Sequence, residues 1–109
     1  MEIVWSSLAT EGLLSILEYV ETDFGSYVSQ RVYTDLTGYI ETLTQFPNLG
    51  IHDELFSTVN LEVRYLIYKQ NIIYYLIYKE TIYILSIANS NQSPERIRKV
   101  ISDYLRSYK

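Results

Sequence analysis

The spacing of apolar residues divides the chain into a helical half and an extended half. Leu13, Ile16, Leu17 and Val20 fall at i, i+3, i+4 and i+7, which lays one apolar stripe along a helix. Ser6 or Ser7 can cap that helix and Glu11 sits near the positive end of its dipole, so the pattern predicts a helix from about Leu8 to Glu21. After Thr22 to Gly25 comes a second stripe, Val28, Val32, Leu36, Tyr39, Ile40 and Leu43, weakened at Gly38 and ended by Pro47. So short a connection predicts an antiparallel helical hairpin, each helix giving one apolar face. Ahead of it, Glu2 to Trp5 alternates weakly, and its Ile, Val and Trp favour a short strand.

Pro47, Asn48 and Gly50 form a turn signal, and His52 to Asn60 shows no sustained period and reads as an irregular connection. From Leu61 to Asn89 the chain is rich in Tyr, Ile, Leu and Val, lacks Gly and Pro, and is broken by Lys69-Gln70-Asn71 and Lys79-Glu80-Thr81. That predicts three antiparallel strands in a meander. The near-copies Leu66-Ile67-Tyr68-Lys69-Gln70 and Leu76-Ile77-Tyr78-Lys79-Glu80 are spaced by one strand plus one tight turn, too short for a solenoid repeat. Ser93 and Pro94 then open a C-terminal helix of about 94–108, with the stripe Ile97, Ile101, Tyr104, Leu105 and Tyr108.

The predicted architecture is therefore α+β in the order β-α-α-β-β-β-α, with the hairpin on one face of the sheet. Alternation puts Leu61, Val63, Tyr65 and Ile67 on one side and Glu62, Arg64, Leu66 and Tyr68 on the other, with Arg64 directed away from the core. The middle strand is apolar on both sides. The face left by the hairpin is then a partner surface or is covered by the C-terminal helix, which docks on its own sheet or on an identical subunit, leaving a homodimer open.

Composition narrows the function classes. The 109 residues are 48% hydrophobic and 20% charged with 4 Gly and 2 Pro, the profile of a folding chain, here one domain over residues 1–109. The absence of cysteine and the single histidine, His52, argue against disulfides, thiol nucleophiles and metal cages, so no cofactor or metal is expected. The opening Met1 to Ser7 has no signal-peptide pattern and no apolar run is long enough to span a bilayer, which predicts a cytoplasmic protein without a membrane partner.

Residues 1–60 hold nine acids against Arg31 alone, whereas the rest holds eight bases against four acids. Clustered cations drive phosphate affinity, so any nucleic-acid contact must use the second half. His52, Asp53 and Glu54 read as solvated loop residues. The 12 tyrosines, six of them between Tyr65 and Tyr83, read as strand packing or protein interface ahead of base stacking.

Several features in order resemble the RelE/ParE superfamily of toxins from bacterial toxin-antitoxin modules. They are Ile3-Val4-Trp5-Ser6 with Ala9, the hairpin, Phe46-Pro47-Asn48-Leu49-Gly50, Val63-Arg64, Ile72-Ile73-Tyr74-Tyr75 and Ile82-Tyr83-Ile84-Leu85-Ser86-Ile87. The resemblance implies an intracellular toxin, associated with plasmid stabilisation, that a cognate antitoxin neutralises by laying a segment over it. RelE-like members cut messenger RNA on the ribosome with several cations and a late Tyr or His. Here Ile72 and Asn89 stand where many relatives carry Arg and His, and Arg64 alone matches clearly.

The missing cations favour the ParE-like branch, which binds and inhibits DNA gyrase. A ribosome-dependent endoribonuclease using Arg64, the turn lysines and Tyr75 or Tyr78 is the enzymatic alternative, and a non-toxic binding protein the third reading. Arg64, Tyr68, Tyr74, Tyr75 and Tyr78 are the expected contacts for target or antitoxin, since tyrosines with an arginine suit an interface hot spot; pairing of Arg64 with Glu62 or another structural acid is the equal alternative.

Overall fold

The computed structural model describes residues 1–57 and 61–107. Its elements are strand β1 (Glu2–Trp5), helices α1 (Ser7–Phe24) and α2 (Ser26–Glu41), a 3-10 turn (Thr42–Thr44), strands β2 (Ile51–His52), β3 (Glu62–Tyr68), β4 (Asn71–Tyr78) and β5 (Thr81–Asn89), and helix α3 (Pro94–Ser107). The sheet order is β1-β5-β4-β3-β2, with β1 parallel to β5 and the other neighbours antiparallel. This is the α+β arrangement expected, with one addition. Ile51 and His52, the latter read from sequence as the start of an irregular connection, pair with Tyr65 and Arg64 at the sheet edge. Two residues are too few to show a period.

Ser6 joins three elements. Its backbone N–H bonds the Ile84 carbonyl, its hydroxyl donates to the Leu85 carbonyl, and the same hydroxyl accepts from the Ala9 N–H to cap α1. α1 runs three residues further than its stripe suggests and ends at Gly25, whose φ of 93° turns the chain directly into α2. The hairpin is pinned there by Ser29, whose buried hydroxyl donates to the Leu17 carbonyl at 3.1 Å.

Both faces of the sheet are covered. Under the hairpin, Ala9, Leu13, Leu36, Ile40 and Leu43 meet Leu66, Ile73, Tyr75, Ile82, Ile84 and Ile87. On the opposite face, Ile97 and Ile101 of α3 close over Val63, Tyr74 and Leu85. The C-terminal helix thus docks on its own sheet; Tyr108, the last residue of its predicted stripe, lies outside the described residues. Arg64 corrects the sequence reading, because it shares the face of Leu66, Tyr68 and the opposed Tyr75, which is the hairpin face.

A bulge explains one packing detail. The β4–β5 register shifts between Tyr74 and Tyr75, so Ser86 opposes Tyr74 while Ile84 opposes Tyr75. The extra residue returns Ile87 to the hairpin side. There α1 rides directly on β5, and a Cβ at Gly12 would run into the Ile87 carbonyl.

Asp53 corrects another expectation. Far from being solvated, it is 3% exposed: it accepts from the Leu55 and Phe56 N–H groups, and Arg98 of α3 donates its Nε to it at 3.1 Å. The pair ties α3 to the segment after β2, and no buried side-chain N or O among the described residues lacks a partner.

Two outcomes follow. Gly12→Ala should destabilise the protein by about 2 kcal/mol in chemical denaturation, since backbone lies where the methyl would go. Gly38→Ala on the open face of α2 should instead stabilise it by about 0.5–1 kcal/mol; equal effects would contradict the α1–β5 contact. The second outcome concerns Tyr74, whose hydroxyl is pushed up to about 12 by burial and by the neighbouring Asp53 carboxylate. The folded state holds that proton longer than the unfolded chain, so the stability it contributes is complete below about pH 10 and is lost as pH rises toward about 12. Melting temperatures should fall over that window, and Tyr74→Phe should remove part of the fall; an unchanged profile would assign it to other groups.

Candidate partner-binding surface

The chain leaves the hairpin through Phe46 to Gly50, and two strand side chains fasten that passage. The buried Tyr75 hydroxyl donates to the Pro47 carbonyl at 2.7 Å and accepts the Gly50 N–H at 2.9 Å. Arg64 donates through one terminal nitrogen to the Gly50 carbonyl at 2.8 Å and the Asn48 carbonyl at 3.4 Å, and through Nε to Glu62 at 2.6 Å. Gly50 has no room for a side chain, because a Cβ would lie 2.7 Å from the Tyr75 ring and hydroxyl. The Pro-Asn-Leu-Gly turn is therefore fixed, and it presents Phe46, Leu49 and Ile51 to solvent.

The five residues singled out from sequence do not form one patch. Arg64 and Tyr75 meet in this fastening, with Tyr75 wholly buried. Tyr74 is buried on the α3 side, its ring centroid 5.5 Å from that of Tyr65 and 6.2 Å from that of Phe56. Tyr78 is exposed at the β4–β5 turn, with Lys79 over its ring. Tyr68 stacks on Tyr39 under the far end of the hairpin, with Lys69 over it.

Tyr68 opens onto a feature that sequence reasoning missed. A groove of about 850 Å³ lies between α1 and the first half of α3. Ile16, Val20, Val32 and Ile87 supply its apolar lining, and Tyr19 and Phe24, 64% and 63% exposed, stand on the α1 side. Lys69, Gln70 and Asn71 of the β3–β4 turn and Arg96 and Val100 of α3 complete it. A signal was present: Tyr19 is an aromatic residue off the apolar stripe of α1, and Phe24 continues that stripe past the predicted end of the helix. Large apolar residues exposed beside a concave surface mark a partner site.

Among the described residues no group of three His, Cys, Asp or Glu side chains could hold a metal, and no helix is long and apolar enough to cross a membrane. The fold and the groove define a small α+β protein suited to holding a partner segment. A family model described as ParE toxin of type II toxin-antitoxin system, parDE, matches residues 3–94, and the chain belongs to that family. Among solved structures, it is similar to a chain of the chromosomal ParDE TA system from P. aeruginosa, with 19% identity and a TM-score of 0.65, covering 82% of this chain and 95% of that one. No curated protein matches the chain.

The fastening makes a mutational prediction. Tyr75→Phe strips the partners from the buried Gly50 N–H and the Pro47 carbonyl and should cost about 1–3 kcal/mol of stability. Arg64→Ala frees two loop carbonyls and should cost about 2 kcal/mol. Denaturant titration of both variants checks this. Wild-type stability in Arg64→Ala, combined with weakened partner binding, would move Arg64 from the frame to the interface.

Proposed function

We propose that the chain is a gyrase-directed toxin that acts by binding in the bacterial cytoplasm and is held inactive by a cognate antitoxin. The family match over residues 3–94 carries this reading. The groove supports the antitoxin half of it. A concave apolar surface rimmed by aromatic residues is what a folded protein needs in order to capture an amphipathic segment.

Arg64 supports binding over phosphate chemistry. Cleaving RNA requires a base for the 2′-hydroxyl, a cation on the phosphate and an acid for the leaving oxygen. The Arg64 guanidinium already serves Glu62 and two backbone carbonyls. Lys69 and Lys79 stand at opposite ends of β4, in separate turns. Arg64, Lys69 and Lys79 therefore do not converge on one phosphate.

The test uses purified full-length chain in two parallel assays, gyrase supercoiling of relaxed plasmid and cleavage of messenger RNA on translating ribosomes. Inhibited supercoiling, relieved by the antitoxin from the adjacent reading frame, is expected. Cleaved RNA with unaffected supercoiling would overturn the proposal in favour of the ribonuclease reading.

A further inference from the structure

α3 begins where the family match ends, at Pro94, and the solved relative accounts for nearly all of itself while leaving about a fifth of this chain uncovered. The helix is nevertheless firmly placed. Ile97 and Ile101 are buried on the sheet, Arg98 reaches the buried Asp53, and the Ser7 hydroxyl and backbone N–H both contact the Tyr104 hydroxyl. These contacts use one side of the helix. Arg96 and Val100 are turned to the groove, both exposed.

α3 therefore converts the end of the sheet beside α1 into a two-walled channel. Glu11 stands on α1, in the half of the chain with nine acids against one base, and the cations of the lining are Lys69 in the β3–β4 turn and Arg96 on α3. Neither cation forms an ion pair or side-chain hydrogen bond among the described residues; Lys69 only overlies the Tyr68 ring, at 5.6 Å. Two cations beside an apolar lining are complementary to one kind of occupant, an amphipathic segment with acidic side chains along its edges.

We infer that Arg96 of α3, together with Lys69, selects the antitoxin by pairing with acidic residues on the segment seated between α1 and α3. The inference rests on the antitoxin reading above and adds to it which residues discriminate and by what chemistry. Val100 and Ile87 supply apolar contact next to these charges, so that a segment with the wrong charge pattern loses the encounter even when its apolar residues fit. Rim charges of this kind act mainly on the association rate and its salt dependence.

The experiment measures association and dissociation of the antitoxin from the adjacent reading frame with the full chain, at several salt concentrations. The double variant Lys69→Glu/Arg96→Glu is compared with Arg31→Glu/Lys79→Glu, which makes the same change in net charge outside the groove lining. The groove reversal should slow association about tenfold and flatten its salt dependence, with little change in dissociation or melting temperature. The distant reversal should slow it less than threefold. Equal effects of the two variants, or wild-type kinetics in the groove variant, overturn the inference while leaving the antitoxin reading intact. Failure of the wild-type chain to bind that antitoxin overturns the reading itself.

Discussion

Two side chains on adjoining strands, Tyr75 and Arg64, hold the crossing from the helical hairpin to the edge of the sheet, and the rest of the architecture depends on that hold. The chain must pass from above the sheet to β2 within a few residues, and in doing so it exposes the backbone groups of Pro47, Asn48 and Gly50. Hydrogen bonds from a buried phenol and a guanidinium satisfy them at distances of 2.7 to 3.4 Å. Glu62 neutralises the arginine on the same strand, so the charge can lie half-buried beside apolar neighbours. With the turn fixed, β2 pairs with β3 in a single register, and the hairpin is set over Leu66, Ile73 and Ile84.

The other face is organised by a different pair. Asp53 follows β2 directly and is buried because two backbone N–H groups and Arg98 share its carboxylate. The segment positioned by Tyr75 and Arg64 thus also anchors α3. Residues 47–53 reach both the sheet edge and α3, while α1 is placed by Ser6 and by its packing on β5. A binding surface built on fixed elements forfeits less freedom on association than one that must be assembled by its partner.

Much of this was legible in the sequence, for identifiable reasons. The helices, the meander and α3 each carry a period set by core contact, so Leu13, Leu36 and Ile97 announced buried positions. The two tight turns showed as Lys69-Gln70 and Lys79-Glu80, although Lys69, Lys79 and Glu80 adopt positive φ without glycine. The rest was hidden because it depends on pairing between distant segments. Period alone could not show that Arg64 is satisfied by a loop 14 residues away, or that Asp53 and Arg98, 45 residues apart, meet beneath α3. A bulge at Leu85 of β5, opposite Tyr74 and Tyr75, likewise breaks the strict alternation that sequence reasoning assumes. The groove was missed because its lining comes from α1, α2, the β3–β4 turn and α3 at once.

On the proposed function the partner segment lies between α1 and α3, while the Pro47 to Gly50 passage serves as frame. Methyl chemical-shift mapping during titration with the antitoxin from the adjacent reading frame tests it most directly. The account predicts that Ile16, Val20, Val32, Ile87 and Val100 shift together and saturate at one equivalent, with Leu49 and Ile51 nearly still. Shifts confined to Leu49, Ile51 and their neighbours on the β2 edge, with the groove methyls unmoved, would contradict it.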